Sequence, residues 1–293
     1  MNGLIIGAGK IGIDLYIKCR RIKCFKNLYI FNRNKDSIGA KFCRKNNFNY
    51  SNDGILGLKK KIGKNNINIV FDATSADSSL KNYKALKPYL NNIFYVNLTP
   101  SKIGDYMVPY YSLNNMSKKI NLITCGGQSS IPLIIEIKKV LKSLIYAELV
   151  SSIASLSAGK ATRENVNDYI QNTQAAISNL SGMRNNKVII NLNPSNPPVN
   201  MMNSIFFECS KNLSKLNLLK INKVLKMINK KIKIYIPGYN AKFFKTEKKN
   251  IFRVTIRVVG QGDYLPSYAG NLDIITSAAA YLSKLIYEKN YNQ

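Results

Sequence analysis

Along the first part of the chain, short runs that are apolar at nearly every position alternate with stretches in which apolar and polar residues mix at a helical period. Gly3 to Ile6, Leu28 to Phe31, Ile67 to Phe71, Phe94 to Val96 and Leu122 to Thr124 read as strands. Ile13 to Ile22, Ile38 to Lys45, Ser79 to Tyr89 and Pro132 to Leu144 read as helices. Strands without a polar face suit a parallel sheet covered on both sides, so the pattern predicts a doubly wound α/β domain.

After Leu144 the strand candidates lengthen, at Ala147 to Ala154, Val188 to Leu192, Ile205 to Glu208, Ile232 to Ile236 and Ile251 to Val259. Helix candidates at Glu164 to Leu180 and Ser214 to Lys230 separate them. This predicts an α+β domain with a mixed or antiparallel sheet, of the kind that serves as a dimerisation platform. Leu272, Ile275, Ala279, Leu282 and Ile286 recur at spacings of three and four, which predicts a closing helix that returns to the first domain. The segment from Asn193 to Pro198 reads as a loop, because its prolines remove backbone donors.

The first strand runs straight into Gly7-Ala8-Gly9-Lys10-Ile11-Gly12 and then a helix. In such a turn the first glycine permits the tight bend, the second lets the backbone approach a pyrophosphate, and the third lets helix and strand pack closely. Gly7, Ala8, Gly9, Lys10, Ile11 and Gly12 are therefore candidate dinucleotide-binding residues. The expected division is a dinucleotide-binding domain over residues 1–125, completed by the helix 271–293, and a catalytic and dimerisation domain over residues 126–270.

Composition narrows the chemistry. The 293 residues suffice for two cores. The net charge of +29 comes from lysines scattered among asparagines and isoleucines, without an aromatic-interleaved basic stripe, so neither nucleic acid nor a membrane surface is expected as a partner. No apolar stretch approaches the roughly 18 residues of a membrane span, and the N-terminus has no leader pattern, so a cytoplasmic location is expected. Cys19, Cys24, Cys43, Cys125 and Cys209 form no CxxC pair, which argues against both a disulfide framework and a zinc site. With no histidine, any Cys-His or Ser-His pair within the chain is excluded, as is a histidine-ligated metal; no metal is expected.

Six motifs in order carry a family resemblance: the turn Gly7 to Gly12, Phe71-Asp72-Ala73-Thr74-Ser75-Ala76, Leu98-Thr99-Pro100, Thr124-Cys125-Gly126-Gly127-Gln128, Ser157-Ala158-Gly159 with Thr162-Arg163, and Tyr268-Ala269-Gly270-Asn271-Leu272-Asp273-Ile274. Together they resemble the CoA-acylating acetaldehyde dehydrogenases. The resemblance implies a glyceraldehyde-3-phosphate-dehydrogenase-like fold, a homodimer, NAD as cofactor, coenzyme A as co-substrate, and in many cases a 4-hydroxy-2-oxovalerate aldolase that hands over acetaldehyde. It makes Cys125 the catalytic nucleophile. It also places Ser155, Leu156, Ser157, Ala158, Gly159, Lys160, Ala161, Thr162, Arg163 and Asn271 on the nicotinamide side of the cofactor.

A thiolate attacks an aldehyde and a thiol does not; at a reference pKa near ~8.5 only a few per cent of cysteine is ionised at neutral pH. The agents expected to lower that pKa are the helix N-terminus near Gly126 and the positive nicotinamide ring. Backbone amides near Cys125 and the Asn271 side chain are the expected donors to the oxyanion. Lys160 and Arg163 read either as contacts for cofactor or CoA phosphates or as solvated surface cations.

The chain departs from the family in several places. Asn32-Arg33 stands where an aspartate usually takes the ribose hydroxyls, which predicts relaxed use of NAD and NADP. Lys160-Ala161 replaces a Pro-Gly, and Asn203 replaces an aspartate that has been a candidate base. These replacements leave a second reading open: a weakly active subunit kept to stabilise a partner aldolase.

Overall fold

The computed structural model describes residues 1–64, 66–110, 116–159 and 163–291. The chain forms two compact units, one of Met1–Leu122, Asp263–Leu265 and Ile275 onward, the other of Ile123–Gly262 and Pro266–Ile274.

The first unit carries β1 (Asn2–Ile6), α1 (Lys10–Arg21), β2 (Asn27–Phe31), α2 (Ile38–Lys45), β3 (Tyr50–Ser51), α3 (Gly54–Lys64), β4 (Ile69–Asp72), α4 (Ala76–Leu86), β5 (Phe94–Asn97), β6 (Asp105–Met107) and β7 (Lys119–Leu122). The strands form one sheet in the order β3-β2-β1-β4-β5-β7-β6, every pair parallel, with Leu4 of β1 facing Tyr29 of β2 and Val70 of β4. Successive strands step one way from β1 to β3 and the other way from β4, so a crevice opens beyond the carboxyl ends of β1 and β4. Leu4, Ile6, Val70 and Tyr95 pack with Leu58, Ile62 and Leu86 from α3 and α4 into a core. Serine side chains cap two of the helices, Ser37 accepting from the Ala40 amide and Ser75 from the Ser78 amide.

The second unit holds a five-stranded sheet in the order β11-β12-β10-β8-β9, with β8 (Leu144–Ala154), β9 (Asn186–Asn193), β10 (Met201–Cys209), β11 (Tyr239–Lys245) and β12 (Ile251–Val258). Its pairs are antiparallel except β8 with β9, which are joined by a helical crossover as parallel neighbours require. Ala147, Leu149 and Ile153 of β8, Ile205 and Phe207 of β10, and Val254 and Ile256 of β12 point to the buried face. The helices of this unit are α5 (Cys125–Val140), α6 (Val166–Ser181) and α7 (Lys215–Ile232). The last helix, α8 (Gly270–Tyr291), begins in the second unit and continues as part of the first from Ile275. The architecture is the expected one: a Rossmann-type parallel sheet plus an α+β domain. No described helix is long and apolar enough to cross a membrane.

Three sequence expectations need correction. The strand expected over 232–236 does not exist: α7 runs to Ile232, and Tyr235 and Ile236 are buried three and four residues on while Ile234 is exposed. That is helical spacing, which interleaved lysines disguised as alternation. The helix expected from Pro132 begins at Cys125 and ends at Val140, with Pro132 inside it. The strand expected over 122–124 ends at Leu122, because Thr124 is the cap of that helix.

Candidate active site

Two groups of side chains, one in each unit, are candidates for the chemistry. In the first, a cleft of about 590 Å³ lies beyond β1 and β4, lined by Gly7 and Gly9, by Asn32, Arg33 and Asn34 after β2, by Ile55 and Leu58 of α3, and by Ser78, Lys81 and Ala85 of α4. The glycine turn has the geometry such a cleft needs. Gly7 sits at φ +106°, a Cβ on Gly12 would fall 1.8 Å from the Gly7 carbonyl oxygen, and a Cβ on Gly9 would meet nothing within 4 Å. The turn is thus tight at Gly7, closed at Gly12 and open at Gly9. Ala8, Lys10, Ile11 and Gly12 do not line the cleft; Lys10 is exposed and Ala8 buried.

The second group surrounds the start of α5. Thr124 caps the helix, its hydroxyl accepting from the Gly127 amide at 3.2 Å. Proton directions around it are fixed: Thr173 Oγ1 donates to the Tyr169 carbonyl at 2.6 Å, so the 2.6 Å contact between Thr124 and Thr173 has Thr124 donating. This relay fastens α6 to the first turn of α5. It also sets Tyr169 beside the cysteine: Tyr169 Oη lies 3.6 Å from Cys125 Sγ, accepts from the Gly126 amide at 3.0 Å and donates to Ser151 Oγ at 3.4 Å. The close approach requires glycine, since a Cβ on Gly126 would stand 2.4 Å from Tyr169 Oη and 2.7 Å from Ser151 Oγ.

Cys125 is buried, 7% exposed, and burial pushes its thiol up to about 11. The Tyr169 hydroxyl and the amides of Gly126 and Cys125 pull the other way without overcoming it. Of the two agents expected to lower this pKa, the helix N-terminus does not suffice without the nicotinamide ring: desolvation outweighs the three donors. Tyr169 itself is held far above its ordinary value, first by burial and then by the neighbouring sulfur, so it stays protonated as a donor.

Asn271, near the start of α8, is buried with its Oδ1 lacking a hydrogen-bond partner among the described residues. Ser155, Leu156 and Ser157 form a 3₁₀ turn in which Leu156 is exposed and the Ser157 hydroxyl donates to the Ala154 carbonyl at 2.7 Å; Ala158 follows buried and Gly159 exposed. Arg163 is exposed, and its guanidinium is tied to its own loop. It donates to the Ser155 carbonyl at 2.9 Å, the Ser155 hydroxyl at 2.8 Å and the Ala158 carbonyl at 3.2 Å, and so closes the 155–159 loop. Lys160, Ala161 and Thr162 lie outside the described residues. Asn203 donates to Ser129 Oγ, whose hydroxyl donates to the Gly126 carbonyl at 2.9 Å; it braces α5 instead of touching the sulfur.

Tyr169, Thr173 and Ser151 escaped the sequence reading. Their signal is faint but physical: Tyr169 and Thr173 stand four apart on the buried face of α6 beside Ala176 and Ile177, and hydroxyls on an apolar stripe demand partners.

Comparison with known proteins places this geometry in a family. Residues 125–266 match the family described as prokaryotic acetaldehyde dehydrogenase, dimerisation. Acetaldehyde dehydrogenase of Pectobacterium atrosepticum is 35% identical over 293 residues, covering 99% of this chain and 96% of its own. The enzyme of that name from Burkholderia thailandensis is 36% identical over 279 residues, covering 94% and 91%. Among solved structures, aspartate semialdehyde dehydrogenase II of Vibrio cholerae matches with a TM-score of 0.64, and a probable aspartate-semialdehyde dehydrogenase of Pseudomonas aeruginosa with 0.66, each at 10% identity over 99% of both chains. The structural likeness establishes the glyceraldehyde-3-phosphate-dehydrogenase-like fold, and with the near full-length sequence identity it follows that the chain belongs to the acetaldehyde dehydrogenase family of oxidoreductases.

Proposed function

We propose that this protein oxidises acetaldehyde or another short aldehyde to its acyl-CoA through a thioester on Cys125, with a nicotinamide dinucleotide as oxidant. The observation that carries this reading is the pairing of Cys125, at the capped start of α5, with the Tyr169 hydroxyl at 3.6 Å and the Gly126 amide. The two halves of the assignment rest on separate units, and each is testable alone.

The residues fit the cofactor. Gly7 and Gly9 offer backbone beside open space for a pyrophosphate, and the partnerless buried Oδ1 of Asn271 suits a carboxamide N–H. Bound nicotinamide supplies the acceptor for the hydride that leaves the substrate carbon and adds positive charge that favours a thiolate.

Cys125 Sγ gives up its proton to solvent and bonds to the aldehyde carbon, giving a thiohemiacetal whose oxygen takes the negative charge. The Tyr169 hydroxyl, kept protonated by burial, donates to sulfur while it is anionic; backbone amides at the start of α5 and the Asn271 side chain are the donors proposed for the oxyanion. Loss of hydride from carbon leaves an acyl thioester. The thiol of CoA attacks that carbonyl, takes the acyl group and returns Cys125 as a thiol. The homodimer uses the outer face of the five-stranded sheet, where half-buried Val150 and Phe206 stand on adjacent strands. An aldolase that supplies acetaldehyde is the partner the family resemblance implies.

The test is CoA-dependent formation of reduced nicotinamide from acetaldehyde by wild type and Cys125→Ala. Loss of turnover in the variant is expected; equal rates end the nucleophile assignment. A second reading, a weakly active subunit kept for its partner, draws on the thiol being pushed up to about 11. It is favoured if wild type shows no turnover while an aldolase co-purifies.

A further inference from the structure

The cleft of the first unit carries more information than its glycine turn, because the groups that meet the adenosine ribose decide which dinucleotide enters. A site for NAD places a carboxylate at the end of the second strand, where it accepts from the ribose hydroxyls and repels a 2′-phosphate; a site for NADP places a cation there. Here β2 ends at Phe31 and is followed by Asn32, Arg33 and Asn34, all lining the cleft, and Lys81 of α4 lines it as well. No Asp or Glu is among the lining residues.

The acidic residues nearby are accounted for elsewhere. Asp72 is fully buried, its oxygens taking the Thr74 amide and hydroxyl, the Asn82 amide and the Tyr95 hydroxyl. Asp53 accepts from the Ser51 hydroxyl at 2.5 Å, Asp36 is exposed beyond Asn34, and Asp77, exposed one turn before Lys81 on α4, forms no ion pair with it. Among the described residues neither Arg33 nor Lys81 has a carboxylate partner, so two cations face the cleft unneutralised. The loop that presents Arg33 is tied down: Asn32 Nδ2 donates to the Asn34 carbonyl at 2.9 Å and to Ser37 Oγ at 2.7 Å. That commits the Asn32 amide group to the loop, and leaves the guanidinium as the charged group at the strand end.

From this lining we infer that the protein selects a dinucleotide phosphorylated on the adenosine 2′-oxygen, NADP+ or NADPH, over NAD+, with Arg33 and Lys81 as the specificity-determining residues. Each contributes a charge-assisted contact that only a phosphate can accept. The inference goes past mere tolerance of both cofactors, and it rests on the dinucleotide reading of the cleft.

The test is calorimetric titration of the intact protein with NAD+, NADP+, 5′-AMP and adenosine 2′,5′-bisphosphate. NADP+ is expected to bind at least tenfold tighter than NAD+, and the bisphosphate tighter than AMP by a similar factor. Arg33→Ala and Lys81→Ala, both at exposed positions, are each expected to lower the NADP+ to NAD+ affinity ratio at least fivefold. Equal or tighter binding of NAD+ by wild type overturns the inference and leaves the proposed reaction standing. Binding of neither dinucleotide overturns both.

Discussion

Tyr169 Oη lies 3.6 Å from Cys125 Sγ and at the same time accepts the amide of Gly126 at 3.0 Å. One hydroxyl therefore occupies the Gly126 amide and carries a proton, directed to Ser151 Oγ in this structure, that can turn to the sulfur. A phenol aimed at a buried thiolate is worth more than the amide it displaces, since its proton reorients toward whichever neighbour carries the charge.

Tyr169→Phe removes that donor and keeps the packing of the ring. A hydrogen bond to a charged partner contributes about 1.5–3 kcal/mol, so kcat/KM is expected to fall roughly ten- to a hundredfold, with KM for the dinucleotide little changed. The pH–rate profile is expected to shift to higher pH. An unchanged profile would make Tyr169 a packing residue only.

With burial holding the Cys125 thiol near about 11, alkylation of the ligand-free protein is expected to rise about tenfold per pH unit between 7 and 10. Peptide mapping after iodoacetamide treatment reads the site. Saturating dinucleotide is expected to move the curve to lower pH. The sign for stability follows from linkage: a folded pKa above the unfolded value of ~8.5 gives a contribution fully present below ~8.5 and lost as pH rises through about 11. A rate already flat at pH 8 would contradict the assignment.

Within the first unit, Lys18 Nζ bridges Asp14 at 2.7 Å and Asp263 at 2.9 Å, and Arg21 reaches Asp263 at 2.6 Å. Burial works to raise the Asp263 carboxyl, but hydrogen bonds from Arg21 and Lys18 outweigh it and hold the group below its ordinary value. Lys18→Ala leaves Asp14, which is fully buried, facing Asp263 without the bridge; a loss of about 3–5 kcal/mol in urea unfolding at pH 7 is expected. Part of it is expected to return near pH 4, where carboxyls protonate. A loss below about 1 kcal/mol would show that Arg21 suffices.

On the outer face of the second sheet, Phe206 pairs across with Glu148 on one side and Arg253 on the other. If that face joins two copies, Phe206→Glu sets like charge beside Glu148 and buries it on association. Sedimentation is expected to show a folded monomer where wild type is a dimer. A dimer of undiminished affinity would move the interface elsewhere.

Much of this was legible before any coordinates. The turn Gly7 to Gly12 announced a tight bend and a close helix, and φ +106° at Gly7 with the Gly12 to Gly7 approach is the reason those positions carry no side chain. Helix α2 starts where its spacing says, because Ser37 caps its first turn. What stayed hidden was set by tertiary contacts. Helix α5 opens with Gly126-Gly127, poor helix formers locally, and holds because Thr124 caps it. Strand β11 alternates Tyr239 and Ala241 with exposed Asn240 and Lys242, a pattern too short and lysine-rich to stand out. Cys125 could be picked out by its motif, but Tyr169 lies 44 residues away and only the packing of α6 on α5 brings it in.

The contact chain from Cys125 through Tyr169 ends at Ser151, a hydroxyl sealed from solvent, and the Thr124 relay ends on a backbone carbonyl. Among the described residues neither ends on a carboxylate or an amine, and burial keeps the sulfur protonated at neutral pH while the enzyme rests. It is thereby kept in the form that peroxide attacks slowly, and oxidative inactivation of this protein should track turnover instead of storage.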